Sequence, residues 1–383
     1  MLNALLAAAL VALPLDPDLL QPALALDSNE AAEAGAQAGG GTTAFVAKRV
    51  EIGDGTVLEN GVVLVKDGVI TAVGAQLDIP AGAAVVNHDG VLSPGMIALH
   101  SNDGAGNDLD ESTRVVMPEA EARHAFHPEH GDFRRALEAG ITALVLAPSS
   151  SNLIGGHTAI VKTQGGVTVK PSAQLMIGLS RDALNFNKFP TSYAGALEEL
   201  ERQFSDPSGA VARAVGGSLP VLMDVNDRAE TLRALAFAKK FGLKGGLYGS
   251  QWAEDLVKAI KESGFDVVCS PFDVGENGRA IRAVVALSQA GVRVGFGLDA
   301  PVRHPESLRF GSAMCIRGGM SADAARRALT GDAALIAGVS GRIGRIARGL
   351  DADVVLWSGD PVSLTSSVEA VYINGELAFG GAK

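Results

Sequence analysis

The chain has 383 residues, 47% of them apolar and 20% charged, which excludes a disordered polymer and supplies enough apolar surface for more than one ordinary core. Its 43 acidic and 32 basic residues leave a net charge of −11 with no basic run, so nucleic acid and an anionic membrane surface are not expected partners. Two cysteines, Cys269 and Cys315, cannot build a disulfide framework and lack the spacing of a zinc knuckle or redox dithiol.

Residues 1–42 open with MLNALLAAALVALPL, an apolar stretch short of the roughly 20 helical residues that a bilayer requires. No membrane span is expected. The stretch resembles the apolar region of an export signal, with Ala23-Leu24-Ala25 as a small-residue cleavage site, yet the first basic residue is Lys48 and the positive flank is missing. A signal peptide with an exported, periplasmic product and an uncleaved disordered leader on a cytoplasmic protein both stay open.

From Thr43 the texture becomes β-rich, with short apolar runs punctuated by the turns Asp54-Gly55, Asp67-Gly68 and Asp89-Gly90. The segment 343–383 repeats that texture and carries Asn374-Gly375, a two-residue hairpin signal. Neither end has the area to stand alone, so 43–92 and 343–383 are expected to complete one small β-sandwich.

Between them, over 93–342, eight apolar runs read as strands: GMIALHS, ITALVLAP, TAIVKT, AQLMIGL, LPVLMDV, KGGLYG, FDVVCSP and VRVGFGLD. Helical segments with a 3.6-residue apolar stripe alternate with the later ones and stop at glycine. An α/β fold with a (β/α)8 barrel follows, and in such barrels functional residues sit at the C-terminal ends of the strands.

The runs ENGVVLVKDGVITAVG, Ser93-Pro94-Gly95-Met96-Ile97-Ala98-Leu99-His100, Gly297-Leu298-Asp299-Ala300-Pro301 and RIGRIARGLDADVVLWSGDP, in that order, resemble the amidohydrolase superfamily, in particular its imidazolonepropionase-like and adenine-deaminase-like members. The resemblance covers almost everything from Thr43 onward. It implies a barrel with a composite β domain, and one or two divalent metals that activate water for hydrolysis of non-peptide carbon–nitrogen bonds.

Residue by residue, the implied metal centre is largely degenerate. Where the family has His-x-His, this chain has His100-Ser101-Asn102. The fourth run, Leu175-Met176-Ile177, lacks the bridging lysine or glutamate; the fifth offers Asp224 and the sixth Tyr248 where histidines are implied. Asp299 matches the family's general base or ligand. His100 and Asp299 are therefore the catalytic candidates, and His100, Asp224 and Asp299 a candidate metal set better suited to Mg or Mn than to zinc. Zinc is not expected, because a site needs at least three good donors and a neutral phenol and an amide are poor ones. Having no metal at all is the other expectation.

Asn102, His157 and Tyr248 are candidate substrate contacts. The Ser149-Ser150-Ser151-Asn152 turn, with Gly155-Gly156 after it, resembles the family's loop over the barrel mouth. His100, Asp224, Tyr248 and Asp299 all end predicted strands and should converge. Two functions stay open: a hydrolase of carbon–nitrogen bonds with an altered centre, and a non-catalytic binding or scaffold homologue, a pseudoenzyme acting with an intact relative. A small-molecule ligand is the expected partner, alongside self-association or pairing with a homologous subunit.

Overall fold

The computed structural model describes residues 41–106, 109–111, 113–184, 188–249, 253–272 and 278–381; the leader on which the export reading falls lies outside them. The chain begins with β1 (Thr42–Glu51), β2 (Val57–Lys66), β3 (Val69–Gly74), β4 (Ala84–Pro94) and β5 (Met96–Ser101). Next come α1 (Asp132–Glu138), β6 (Ile141–Leu146), β7 (Ile154–His157), β8 (Ala159–Lys162), β9 (Thr168–Lys170) and β10 (Leu175–Gly178). Strands and helices then alternate: α2 (Tyr193–Ser205), α3 (Gly209–Val215), β11 (Val221–Val225), α4 (Arg228–Phe241), β12 (Gly245–Gly249) and α5 (Val257–Ser263). The alternation ends with β13 (Asp266–Cys269), α6 (Gly278–Gln289), β14 (Val294–Phe296) and three helices, α7 (Ser307–Arg317), α8 (Ala322–Leu329) and α9 (Gly331–Ala337). The hairpin strands β15 (Val354–Trp357), β16 (Val368–Ile373) and β17 (Glu376–Gly380) close the chain.

All eight apolar runs of the central region contain a strand, but they do not form one parallel, closed sheet. β10 to β14 pair in parallel, in chain order, and β7 flanks β10 antiparallel. A second sheet runs β5-β6-β8-β9, with β6 parallel to β5 and β8 antiparallel to β6. The third run of the sequence is thus β8, and with β7 just before it this stretch opposes its neighbours in both sheets. The two sheets meet again at the other side, where the backbone N–H groups of Leu298 and Asp299 both donate to the carbonyl of His100, at 2.8 and 3.2 Å. The result is a mixed α/β fold of barrel-like arrangement with side chains filling the interior, among them Ile97, Leu99, Val145, Met176, Leu222 and Val268.

The segments 43–92 and 343–381 do meet, in one continuous sheet of order β17-β16-β15-β4-β1-β2-β3. The reason is β4. It is 11 residues long: Ala84 to Leu92 pair parallel with β1, with a register shift past His88, while Val91 to Pro94 pair antiparallel with β15 on the other edge. One strand therefore joins the two segments, and the sheet folds over so that Phe45 of β1 and Tyr372 of β16, three strands apart in it, meet with ring centroids 4.7 Å apart. Among the described residues no helix is long and apolar enough to cross a membrane.

Lys162 fastens this sheet to the central strands. Its side chain, at the end of β8, has no solvent exposure, and its Nζ lies 2.8 Å from Asp351 and 2.9 Å from Asp353, with Asn374 as a third acceptor. Burial pushes the Asp353 carboxyl up, and Lys162 works against that push. Removing one partner of a buried ion pair leaves the other uncompensated and typically costs about 3–5 kcal/mol. Lys162→Ala should therefore lower the urea-unfolding free energy by about that amount, and a loss within about 0.5 kcal/mol would show that the pair contributes nothing.

Candidate functional site

The C-terminal ends of the parallel strands open into a cavity of about 460 Å³. His100 at the end of β5, Asp224 in β11, Tyr248 in β12 and Asp299 just after β14 all line it. The register explains the meeting: Asp224 pairs with Tyr248 across adjacent strands, and the His100 carbonyl holds the backbone of Asp299. Close approach requires a glycine between them. A Cβ on Gly297 would lie 3.0 Å from the Tyr248 ring and 3.2 Å from the His100 Cβ, tighter than ordinary packing allows. Asp299 itself adopts φ +50°, a left-handed conformation that aspartate tolerates better than most residues.

The side chains form one cluster. The His100 and Tyr248 rings stack with centroids 4.1 Å apart and planes 8° from parallel. The Tyr248 hydroxyl donates to Oδ1 of Asp299, and Nδ1 of His100 lies 2.9 Å from that same oxygen. The imidazole is out of line for a regular hydrogen bond, however, and neither of its buried nitrogens has one. The proximity is electrostatic.

The two carboxylates differ because their surroundings differ. Burial pushes Asp224 up to about 6, against hydrogen bonds from Ser180 and Ser150 and the nearby His100. Its Oδ2 has no hydrogen-bond partner. Burial also acts to raise Asp299, but His100 and the Tyr248 hydroxyl outweigh it and hold that carboxyl below the usual range. Burial and the adjacent Asp299 carboxylate push the Tyr248 phenol well up, so it stays a neutral donor.

Two of the expected contacts lie elsewhere. His157 pairs with Leu175, the first residue of β10, so it sits at the opposite end of the strands from Asp224, which pairs with Gly178. The antiparallel direction of β7 is the cause. There His157 is fully buried with Nδ1 2.6 Å from the Ser172 hydroxyl, beside Arg213. Asn102 does not line the cavity either; its amide, turned to satisfy its bonds, donates to the carbonyls of Ser101 and Ala147 at 3.2 and 3.1 Å.

The same antiparallel run brings the serine turn to the cavity, because that turn precedes the strand. Ser149, Ser150 and Ser151 all line it. The turn rests directly on β10: a Cβ on Gly178 would meet the Asn152 carbonyl at 2.4 Å and that of Ser150 at 2.8 Å. Asp182, Asn226, Ser270 and Arg303 also line the cavity and were not singled out in sequence. Their signal was position, since each follows a barrel strand by a few residues. Asn226 and Asp182 are set by a capping box at α4, in which Asp227 accepts from the Glu230 N–H while buried Glu230 accepts from Asn226, Asp227 and Arg181. The Asn226 amide then donates to Asp182 at 3.2 Å.

Zinc requires at least three converging nitrogen, sulfur or oxygen donors. Among the described residues no three His, Cys, Asp or Glu side chains are arranged to hold a metal ion. Asp299 is engaged by Tyr248 and His100, and the phenol in their midst is a poor ligand while protonated. The cluster does not fit the metal centre that the sequence resemblance implies.

Comparison with known proteins gives a match over residues 246–379 to Amidohydro_3, an amidohydrolase family. Amidohydrolase tasK of Hapsidospora irregularis is 22% identical over 390 residues, covering 83% of this chain. This chain spans 40% of that relative's length. An amidohydrolase from Thermotoga maritima MSB8 is similar in structure, with a TM-score of 0.78 and 25% identity, covering 88% of this chain and 100% of its own. An adenosine deaminase from Xanthomonas campestris with bound zinc shares the fold at a TM-score of 0.53 and 18% identity, over 88% of this chain and 93% of its own.

Just after β5, Asp103 is buried with neither carboxylate oxygen hydrogen-bonded, and burial, with the Asp132 charge, pushes it up to about 7. The folded chain thus keeps a proton that the unfolded chain releases near pH 4, so this group makes stability fall as pH rises from about 4 to about 7. Asp103→Asn should flatten part of that decline and raise the unfolding free energy at pH 7 by on the order of 2 kcal/mol. Urea titrations at pH 4.5 and 7 check this; an equal or larger decline in the variant would contradict it.

Proposed function

We propose that this chain is a small-molecule-binding homologue within the amidohydrolase superfamily whose metal centre has been lost. The observation that carries this reading is the Tyr248 phenol. It stands where the resemblance implies a histidine ligand, donates to Asp299 and stacks on His100. One oxygen of a carboxylate and the face of an imidazole that would otherwise converge on a metal ion are thereby engaged by a neutral ring. The cavity above them keeps the size and polarity of a ligand site. Fold-level kinship does not carry the hydrolytic activity over, since activity belongs to the site.

Asp224 favours a second reading, hydrolysis of a carbon–nitrogen bond without zinc. A carboxyl held near 6 is suited to proton transfer around neutral pH. Mg or Mn bound by oxygen donors belongs with that reading.

Metal analysis by mass spectrometry on protein purified without chelator, together with hydrolysis assays over cyclic amides and amidines, tests the proposal. The expected result is well under about 0.2 equivalents of zinc and no turnover above background. About one equivalent of zinc would contradict the lost centre. Turnover that Asp224→Asn abolishes would replace the binding reading by the second one.

A further inference from the structure

The cavity is acidic. Among the described residues, Asp182, Asp224 and Asp299 line it against one guanidinium, Arg303, which already has an interaction partner. Protonating His100 would still leave one carboxylate in excess. Two polar groups nine-tenths or more buried also face it without hydrogen-bond partners: the His100 imidazole, with 7% of the residue exposed, and Oδ2 of Asp224, with 2%. A buried acceptor left unpaired costs on the order of 1–3 kcal/mol, so an occupant that donates to it is favoured twice, by charge and by hydrogen bonding.

A metal ion is a poor match, because it needs donors converging to about 2 Å from one point. An ammonium or guanidinium group is less demanding. Its N–H donors point in several directions and reach separate acceptors at about 2.8 Å, so carboxylates too dispersed for a metal can share it. Serine hydroxyls at the cavity wall supply further acceptors without adding charge.

We infer that the ligand of this cavity is an organic cation, a small primary ammonium or guanidinium compound whose charged head lies between Asp224 and Asp299. This rests on the reading that the cavity holds no metal. Calorimetric titration of the full chain at low salt, with agmatine, butylammonium, butyrate and butanol as probes, tests it. The cations should bind, with butyrate and butanol at least about tenfold weaker. Asp224→Asn and Asp299→Asn should each weaken agmatine at least about tenfold, and the binding should fall with added salt.

Both replacements keep side-chain shape, and circular dichroism with thermal unfolding confirms that each variant is folded. Should one fail to fold, the other carries the test. Butyrate binding as tightly as butylammonium would overturn the inference, as would agmatine binding that both folded variants retain, or the absence of cation binding at millimolar concentration. Displacement of agmatine by one equivalent of Mg or Mn would overturn it too. Zinc in the purified protein would instead remove the reading beneath it, so the two failures are distinct.

Discussion

The carbonyl of His100 accepts hydrogen bonds from both Leu298 and Asp299, and the geometry of the cavity depends on that junction. It joins β5 to the end of β14 across nearly 200 residues of chain, where the strands belong to different sheets. With the two backbones fixed, the Gly297 position must be empty of side chain for the Tyr248 and His100 rings to approach. Asp299 then turns its carboxylate back onto both rings through a left-handed backbone. Local conformation, ring stacking and carboxylate placement are consequences of one backbone contact.

Buried charge at Lys162 is met by two carboxylates and an amide oxygen. In the cavity, by contrast, both His100 ring nitrogens and Oδ2 of Asp224 are buried without hydrogen bonds. Such groups are rare in native proteins because each carries the full desolvation penalty. At strand ends that line a cavity, such groups fit a site shaped for an occupant better than one shaped for stability. Carboxylates within one site are also driven apart in acidity: Asp224 is isolated by burial, while Asp299 is held ionised by its neighbours.

What could be read in the sequence followed from periodicity. Each of the eight apolar runs contains a strand, though β7 and β9 fell outside them, and strand ends located His100, Asp224, Tyr248 and Asp299, because chain direction converts a strand end into a position at the mouth. His157 was expected beside a glycine-containing loop over the mouth; instead Ile154–His157 form a short strand, and its antiparallel pairing with β10 carries His157 to the far end. Asn102 ends its strand as expected, but its amide is drawn to backbone carbonyls, a competition that spacing does not register. Asp182 and Arg303 lie in loops, whose approach to the cavity is set by capping and turn contacts rather than by periodicity. The single seven-stranded sheet was likewise beyond reach, since it turns on β4 pairing on both edges.

The central claim is that the phenol of Tyr248 and the carboxylate of Asp299 occupy the place of a metal centre and leave His100 without a zinc-binding role. Imidazole ¹⁵N resonances of the full chain, followed during a zinc titration with His100 assigned by the His100→Asn variant, test it most directly. The account predicts that the His100 signals stay in place through one equivalent of zinc, because no third donor completes a site. A saturable one-to-one shift of the His100 ring nitrogens would contradict it.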